Sequence, residues 1–569
     1  MAEATVPKFN LVDDSWIMVV MCDGIPKELS LREAFRMAPQ ISYLTGDIPQ
    51  QSALVLRLME AILYRAYFFA KKDVQTHPDM IELWQEIWGA GVFDGQVIDV
   101  YLDKYRERFS LFGETPFMQV PGLKYVAKEC DPVSEMVGDV PKPDKFLFSM
   151  RTLNAPHSLS FAEAARWLLW VQGYDCAGIM PAVAGNTRIK NGKVYPPKGL
   201  PGMGWSGSIG TIYVEGATLF ETLLLNFVMF DESFGRADCF GVENDVPSWE
   251  KSDISPDDAA FVPSGVAGLF SVGARRVRLV PSGDGGLVTG VVKCYGDTVR
   301  PTEAKSSETM TSWRESKEQQ KKLGLAKPPL MPRSHDCSKA LWRGLGPLVA
   351  RSQEVDKPDL RPGVIKWIEV LKDEETEGLP KTLRIHAQGV EYGSQSSVIT
   401  NSYDDVLDLG DVMLRTDSPA VRRATGTVTR IEEAVGCLVN LVSDLRTIAA
   451  DTKTKTEPRS ASKTALSERE KADVKEQAFL ALDSVARGYL REFSADLDPV
   501  EHCKKWAEES RHVLCRIAND HLLESPVSRF AYRGKDGQAM SVDVCWRRFV
   551  GRLNRTLGLE GGPLTEGGR

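Results

Sequence analysis

The chain has few of the features that mark secreted, membrane-inserted or metal-binding proteins. Its ten cysteines are spread over 569 residues without a CxxC pair, which excludes a disulfide-rich scaffold and favours reduced thiols in a cytoplasmic protein. The longest apolar runs, such as LLLNFVMF, are far shorter than the roughly 20 residues of a spanning helix. Asp13 and Asp14 precede only a short apolar patch, unlike a signal peptide. We therefore expect neither secretion nor membrane insertion, and no metal or other cofactor.

An excess of positive charge is also lacking. The 70 Lys and Arg residues against 78 Asp and Glu leave a net charge of -8, which argues against a protein that coats nucleic acid but leaves room for a local basic groove. A hydrophobic content of 43% with 26% charged residues is ordinary for a globular protein. At this length, two or more domains are expected.

Known catalytic spacings are absent. The seven histidines form no H-E-x-x-H pair, and neither a Walker A nor a G-x-S-x-G pattern occurs. The segment GMGWSG at 202–207 has G-x-G-x-x-G spacing, but no strand precedes it and the β-like IGTIYV follows, so it does not predict a nucleotide site. His335 with Asp336 and Cys337 is the one polar cluster that a nuclease or thiol enzyme could use, and a surface turn is the alternative.

The N-terminal part mixes strand and helix patterns. WIMVVMCDGIPKELS predicts two strands joined at Asp23-Gly24, followed by a helix that Ser30 caps, with Glu33 in the capping-box position. Residues 52–70 are apolar on nearly all faces, which predicts a buried helix. Two further helices follow Ser160 and Thr218, and GLVTGVVKCYGD is β-like.

Three polar or proline-broken segments predict irregular structure. Residues 111–123 contain two prolines and are expected to form a loop anchored by aromatic side chains. The segment 126–146 has the composition of a long exposed loop. The run Thr302–Lys327 is predicted to be flexible or a surface insertion.

The last part of the chain has four amphipathic helical segments. A four-helix bundle is the simplest way for them to bury their apolar stripes, with a polar, basic connection at 451–464 predicted to be mobile. The predicted fold class is therefore α+β, with a large mixed N-terminal domain (1–415) followed by a C-terminal four-helix bundle (416–569).

Basic side chains occur where backbone can approach another polymer. Arg188, Lys190 and Lys193 lie in a glycine-rich stretch, and Arg423 and Arg430 share one face of the first C-terminal helix. These five are candidates for phosphate contacts, and solvated surface charges are the alternative. The stretch EYGSQSSVIT places a single amide, Gln395, in a turn, which on its own predicts only a solvent-facing loop.

Several longer segments, taken in order, resemble one family. They are FNLVDDSWIMV, LFGETPFMQV, the run GYDCAGIMPAVAGNTRIKNGKVYPPKGLPGMGWSGSIGTIYVEGATLFETLLLNF and the terminal helical pattern. Together they resemble the CasA family, the large subunit of the type I-E CRISPR surveillance complex Cascade. The resemblance implies a non-enzymatic subunit that recognises the protospacer-adjacent motif in double-stranded DNA, helps to start strand separation and R-loop formation, and docks the helicase-nuclease effector.

The resemblance also implies site residues. The wedge that opens the duplex falls on Gln395, flanked by Ser394 and Ser396. A glycine loop that approaches the motif from the minor groove falls on Ala177, Gly178, Ile179 and Met180. Lys305 is assigned to a lysine finger, and contact with the crRNA 5′ handle is expected at Phe146, Leu147 and Phe148.

The chain departs from the family pattern at two places. Met180 followed by Pro181 stands where relatives usually have a basic residue, and the handle loop reads Phe-Leu-Phe instead of aromatic-aliphatic-Asn. The expected partners are the other Cascade subunits, the crRNA 5′ handle, target duplex and the effector, and the isolated chain is expected to be a monomer. The alternatives are a metal-independent nuclease using the His335 cluster and a scaffold subunit without DNA contact.

Overall fold

The computed structural model describes residues 7–139, 156–231, 237–251, 254–351, 357–415, 418–453, 466–524, 533–535 and 538–559. The helices are α1 Leu31–Arg36, α2 Gln50–Ala70, α3 His77–Ala90, α4 Gly95–Lys104, α5 Phe161–Tyr174, α6 Leu219–Asn226, α7 Val266–Phe270, α8 Lys317–Leu323, α9 Leu345–Val349, α10 Gly363–Asp373, α11 Pro419–Lys453, α12 Glu468–Arg491, α13 Pro499–Leu523 and α14 Val542–Leu557.

The strands are short apart from four. They are β1 Ile17–Met21, β2 Pro26–Leu29, β3 Ile41–Leu44, β4 Asp131–Pro132, β5 Met180–Pro181, β6 Lys193–Val194, β7 Thr211–Glu215, β8 Phe230–Asp231, β9 Ala237–Asp238, β10 Ala260–Phe261, β11 Arg275–Pro281, β12 Val288–Tyr295, β13 Thr298–Val299, β14 Trp313–Glu315, β15 Leu330–Pro332, β16 Thr382–Tyr392, β17 Ile399–Gly410, β18 Arg533–Lys535 and β19 Gln538–Met540.

Contacts divide the chain into two compact units. The first comprises Met1–Ser338 and Arg351–Val406, and the second comprises Lys339–Ala350 and Leu407–Arg569. The predicted mixed fold with a C-terminal helical region is confirmed. The predicted limits, 1–415 and 416–569, placed the inserted segment 339–350 and residues 407–415 with the N-terminal domain, whereas their contacts are with the second unit.

In the first unit, the buried helices α2 and α5 pack on each other, and the strands form several short sheets. Two sheets matter for the site: β11, β12 and β4 form one, and β17, β16 and β7 form the other. In the second sheet β16 and β7 are antiparallel, with His386 opposite Tyr213. The long strands β16 and β17 form a hairpin whose connection is the EYGSQSSVIT stretch.

In the second unit, four long helices pack on one another. Helix α11 contacts α12, α13 and α14, and α13 contacts α12 and α14. Trp506 and Leu553 are fully buried among them. The inserted segment joins this unit through Trp342, whose Nε1 donates to Asp483 at 3.0 Å. Most of the predicted linker lies outside the described residues.

Local signals predicted the N-terminal elements well. Strands β1 and β2 meet at a turn in which Gly24 has φ +83°, and Ser30 and Glu33 form the predicted capping box at α1. Ser160 caps α5 with Glu163 in the same way. Helix α2 is buried on all faces over most of its length, as its composition predicted.

Two predictions of exposed irregular structure were wrong for part of their length. Within 126–146, Asp131–Pro132 pairs with β12 and Val133 and Met136 are buried. Within Thr302–Lys327, Glu308 is 1% exposed and accepts two hydrogen bonds from the buried Arg57. A polar residue with a buried ionic partner belongs to the core, and composition alone does not reveal the partner.

A buried carboxyl group in α2 has no such partner. Glu60 is 0% exposed, and neither of its carboxyl oxygens has a hydrogen-bond partner among the described residues. Burial therefore raises its pKa well above the usual 4.5. Because the fold holds the acid neutral, the group imposes no ionisation penalty on folding below pH 4.5, and the free energy of unfolding falls as the pH rises above that value.

We expect Glu60→Gln to stabilise the first unit at pH 8 by about 1–3 kcal/mol, since the variant removes an acid that must take up a proton to fold. Denaturant unfolding at pH 5 and pH 8 measures this, with the exposed Glu129→Gln as the control. An equal effect of Glu60→Gln at both pH values would contradict a neutral buried acid.

Candidate nucleic-acid interface

The glycine loop connects the end of α5 to β5. The helix ends at Tyr174, Asp175 is its C-cap, and Met180 begins the next strand. Ile179 is 57% exposed, whereas Ala177 and Met180 are buried. Met180 belongs to a core cluster with Val194 and Tyr295. Of the four residues predicted for this loop, Gly178 and Ile179 therefore form its accessible surface.

The predicted wedge lies at the tip of the β16–β17 hairpin. Gln395 and Ser394 are exposed, and Ser396 is half-buried. Gln395 and Ser396 have φ values of +55° and +53°, a left-handed conformation that costs an ordinary L-residue roughly 1–2 kcal/mol. Backbone bonds within the tip, from Gly393 N to Val398 O at 2.9 Å and from Ser396 N to Gly393 O at 3.0 Å, close the turn.

The structure brings the glycine loop and the hairpin tip together. The Ala177 N–H donates to the Ser396 carbonyl at 2.8 Å, and the Tyr392 hydroxyl donates to the Tyr174 carbonyl at 2.6 Å. A cavity of about 340 Å³ lies between them, lined by both the loop and Ser397–Ile399. Two segments that are far apart in the sequence thus form one surface.

The GMGWSG segment is the support beneath this surface. An added Cβ would lie 2.7 Å from the Ala177 Cβ at Gly202, 2.4 Å from the Gly173 carbonyl oxygen at Gly204, and 2.1 Å from the Tyr392 hydroxyl at Gly207. These glycines therefore allow close packing against the loop, the helix end and the hairpin. Their spacing has a structural reason that involves no nucleotide.

Gly178 is different from the other glycines of this region. Apart from its two chain neighbours, no atom of the residues that the structure describes lies within 4 Å of an added Cβ, and its φ lies outside the left-handed region. Neither backbone conformation nor internal packing requires glycine at this position. The missing side chain leaves room on the outer side of the loop.

The basic candidates differ in their availability. Lys190 and Lys193 are exposed at the tip of the β5–β6 hairpin, which begins directly after the glycine loop. Arg188 is held by Asp258 at 2.8 Å. Arg423 is exposed on α11 in the second unit, whereas Arg430 donates to Thr427 at 3.1 Å.

Lys305 is not placed as a free finger. Its Nζ lies 3.2 Å from Asp231, which also pairs with Lys366, and its side chain is 15% exposed. Its ammonium also lies 5.5 Å from the Trp313 ring centroid. No contact between Lys305 and either loop is present in the part of the chain that the structure describes. Phe146, Leu147 and Phe148 lie outside the described residues.

The His335 cluster has the properties of a structural turn. His335 Nε2 donates to the Thr211 carbonyl at 3.1 Å, and the ring stacks on Tyr403. Burial lowers its pKa to about 4, and burial raises the pKa of the Cys337 thiol to about 11. A thiol that stays protonated is a poor nucleophile, so these groups do not form an activated pair. Within the described ranges, no three His, Cys, Asp or Glu residues are grouped as metal ligands.

None of the helices that the structure describes combines the length and apolar character needed to cross a bilayer. All ten cysteines are described, and none of them forms a disulfide.

Comparisons with known sequences and with solved structures agree with each other. The sequence profile of CRISPR-associated protein Cse1 matches residues 10–517. The protein CasA/Cse1 of Thermus thermophilus is 28% identical over 317 residues, which is 54% of this chain and 56% of that relative. The alignment thus spans about half the length of this relative.

Solved structures match over nearly the whole chain. Thermobifida fusca Cse1 is 32% identical with a TM-score of 0.83, covering 98% of this chain and 99% of that one. Acidimicrobium ferrooxidans Cse1 is 26% identical with a TM-score of 0.78, covering 97% and 99%. A chain of a CRISPR RNA-guided surveillance complex shares the fold, with 17% identity, a TM-score of 0.59 and coverage of 90% and 99%.

The hairpin that carries Gln395 contains a partly exposed ionic cluster. His386 on β16 contacts Asp404 on β17 at 2.8 Å and Glu215 on β7 at 3.1 Å. Burial alone would lower the histidine pKa, but the hydrogen bonds and charges of the two carboxylates outweigh it and raise the pKa to about 9. The protonated ring links all three strands.

We expect this cluster to make the hairpin sensitive to alkaline pH. Because the folded pKa exceeds the unfolded 6.5, its stabilisation of about 3 kcal/mol is present below pH 6.5 and is lost as the pH rises through 9. Hydrogen exchange of residues 382–406 in denaturant at pH 6 and pH 9, for the parent and His386→Gln, measures the difference. A gap between the two proteins that does not narrow at pH 9 would contradict this assignment.

Proposed function

The chain belongs to the family of CRISPR-associated protein Cse1, and from this membership we propose that it is the non-catalytic large subunit of a type I-E surveillance complex. In this proposal the subunit recognises the protospacer-adjacent motif in double-stranded DNA, starts strand separation there and docks the helicase-nuclease effector. Contact with the crRNA 5′ handle through Phe146–Phe148 is part of the proposal and rests on the family resemblance.

One observation carries the DNA-recognition part of this proposal. The hydrogen bond from Ala177 to Ser396 holds the hairpin tip that carries the exposed Gln395 against the glycine loop, in which Gly178 has an open side. A glycine without internal packing fits a surface that approaches a groove closely. A neighbouring amide on a fixed turn fits a group that replaces lost stacking and pairing contacts when the first base pair opens.

The distribution of charge indicates that the free chain binds DNA only weakly. Lys190 and Lys193 are the exposed cations on the hairpin that begins at the glycine loop, while the net charge of the whole chain is -8. Few phosphate contacts against unfavourable overall charge give low, strongly salt-dependent affinity. Target binding therefore depends on the assembled complex. Lys305 would first have to leave Asp231 to contact DNA.

The two alternative functions predict different experimental results. A metal-independent nuclease would need an activated His335, which the low pKa and the hydrogen bond to Thr211 disfavour. Cleavage of DNA by the purified chain that is lost in His335→Ala would favour this enzyme. A scaffold without DNA contact predicts that substitutions at Gly178 and Gln395 leave target binding intact.

We expect Gln395→Ala to slow strand opening more than initial binding. The amide acts only when the base pair separates, and the loss of about 1–2 kcal/mol at that step would slow opening about 5- to 30-fold. Stopped-flow fluorescence of a base analogue at the first target position, in the reconstituted complex on linear duplex, measures opening separately from binding.

Gln395→Asn is the matched variant, because asparagine keeps an amide and tolerates the left-handed conformation. It should retain part of the opening rate. Equal opening rates for the parent and Gln395→Ala would remove the wedge role.

We expect Gly178→Ala to weaken motif-dependent binding without destabilising the fold. The added methyl group has no internal neighbour within 4 Å, so any loss must come from the approaching duplex. Filter binding of the complex, together with thermal unfolding of the free subunit, tests this. Unchanged affinity would show that the loop does not approach the duplex closely.

A further inference from the structure

One face of the β11–β12 pair holds the glycine loop. Arg275 is opposite Tyr295 in the antiparallel register, and Lys293 is two residues before Tyr295 on the same strand. Directly opposite residues and alternate residues of a strand share a face. All three side chains contact the segment 175–178.

Tyr295 binds the central glycine of the loop through both of its backbone polar groups. The Gly178 N–H donates to the Tyr295 hydroxyl oxygen at 3.0 Å, and the same hydroxyl donates to the Gly178 carbonyl at 2.6 Å. Tyr295 is fully buried. The hydroxyl thus replaces the ladder partners that a regular strand would supply.

Arg275 binds the start of the loop. Its side chain is 1% exposed, and its Nε donates to the Asp175 carboxylate at 2.6 Å. Its NH2 group donates to the carbonyls of Asp175 at 3.1 Å, Cys176 at 2.9 Å and Gly202 at 2.7 Å. The guanidinium therefore fastens the loop to the GMGWSG support.

Lys293 completes the arrangement. Its Nζ donates to the second Asp175 oxygen at 2.7 Å and to the Glu135 carbonyl at 3.0 Å. Burial alone would raise the pKa of Asp175, but the charges and hydrogen bonds of Lys293 and Arg275 lower it to about 2. The carboxylate remains ionised, and the loop start remains tied at neutral pH.

From these contacts we infer that Tyr295 and Arg275 are positioning residues for motif discrimination. They fix the backbone of the glycine loop at the distance from Gln395 at which a duplex with the correct motif fits. The inference rests on the proposed function and deepens it, because it assigns specificity to side chains that do not touch DNA. The loop is held through its backbone, so its position relative to a bound duplex depends on the buried side chains of Tyr295 and Arg275.

The test uses Tyr295→Phe in the reconstituted complex. The variant keeps the ring, including its contact with the Arg275 guanidinium 5.0 Å away, and removes only the hydroxyl. Tyr64→Phe is the matched control, because the Tyr64 hydroxyl is also buried and donates to a backbone carbonyl, that of Val228, at 2.7 Å.

The probe is a library of linear duplexes with a guide-matched target and a randomised adjacent motif. We expect the ratio of affinities between preferred and rejected motifs to fall about tenfold in Tyr295→Phe and to stay unchanged in Tyr64→Phe. Hydrogen exchange of residues 175–181 in the free subunit should be faster only in Tyr295→Phe. Arg275→Lys should also lower the motif ratio, because lysine keeps the charge but cannot bind three carbonyls and a carboxylate at once.

The possible outcomes distinguish failure of the proposed function from failure of the positioning role of Tyr295. If the complex with the parent subunit binds all motifs equally, the proposed function fails. If the parent discriminates and Tyr295→Phe discriminates equally well, the positioning role is overturned while the proposed function stands. An equal loss in Tyr295→Phe and Tyr64→Phe would show a general effect of stability and would also overturn the inference.

Discussion

The backbone hydrogen bond from Ala177 to Ser396 is the contact on which the candidate site depends. Because Gln395 and Ser396 are both left-handed, the hairpin tip cannot continue its ladder. The Ser396 carbonyl instead accepts from the neighbouring loop. This bond ties the backbone of the turn that carries Gln395 to the glycine loop.

The glycines of this region have two distinct purposes. Gly202, Gly204 and Gly207 are required by the interior, since a side chain at each would collide with the loop, the helix end or the hairpin. Gly178 is not required by the interior. Because the fold would tolerate a side chain at this position, the glycine there indicates close contact with another molecule.

Local sequence signals were sufficient for much of the fold. Capping boxes, apolar periodicity and turn residues predicted β1, β2, α1, α2, α5 and the four long C-terminal helices because each signal acts within a few residues. The site was found through the resemblance to a family, since a lone glutamine in a turn has no specific pattern. The structure then showed that the two predicted loops are adjacent.

Contacts between distant residues could not be predicted in this way. Tyr295 and Arg275 reach the glycine loop from strands about a hundred residues further along the chain, and no local pattern marks them. Lys305 was assigned to a finger from its position before Trp313 in the sequence, which does not reveal that its partner is Asp231, 74 residues away. Likewise the polarity of Thr302–Lys327 concealed the buried pair of Glu308 with Arg57. In both cases an ion pair between residues far apart in the sequence determines whether the charged side chain is exposed or buried.

The position of the Gln395 side chain on a bound target tests the account most directly. A photo-crosslinking amino acid at position 395 of the subunit, in a reconstituted complex on a guide-matched duplex, reports which nucleotides lie within reach, with exposed Val100 as the control position. The account predicts crosslinks confined to the base pair at the junction of motif and target, and none from position 100. Crosslinks from position 395 only to protein, or to DNA far from that junction, would contradict it.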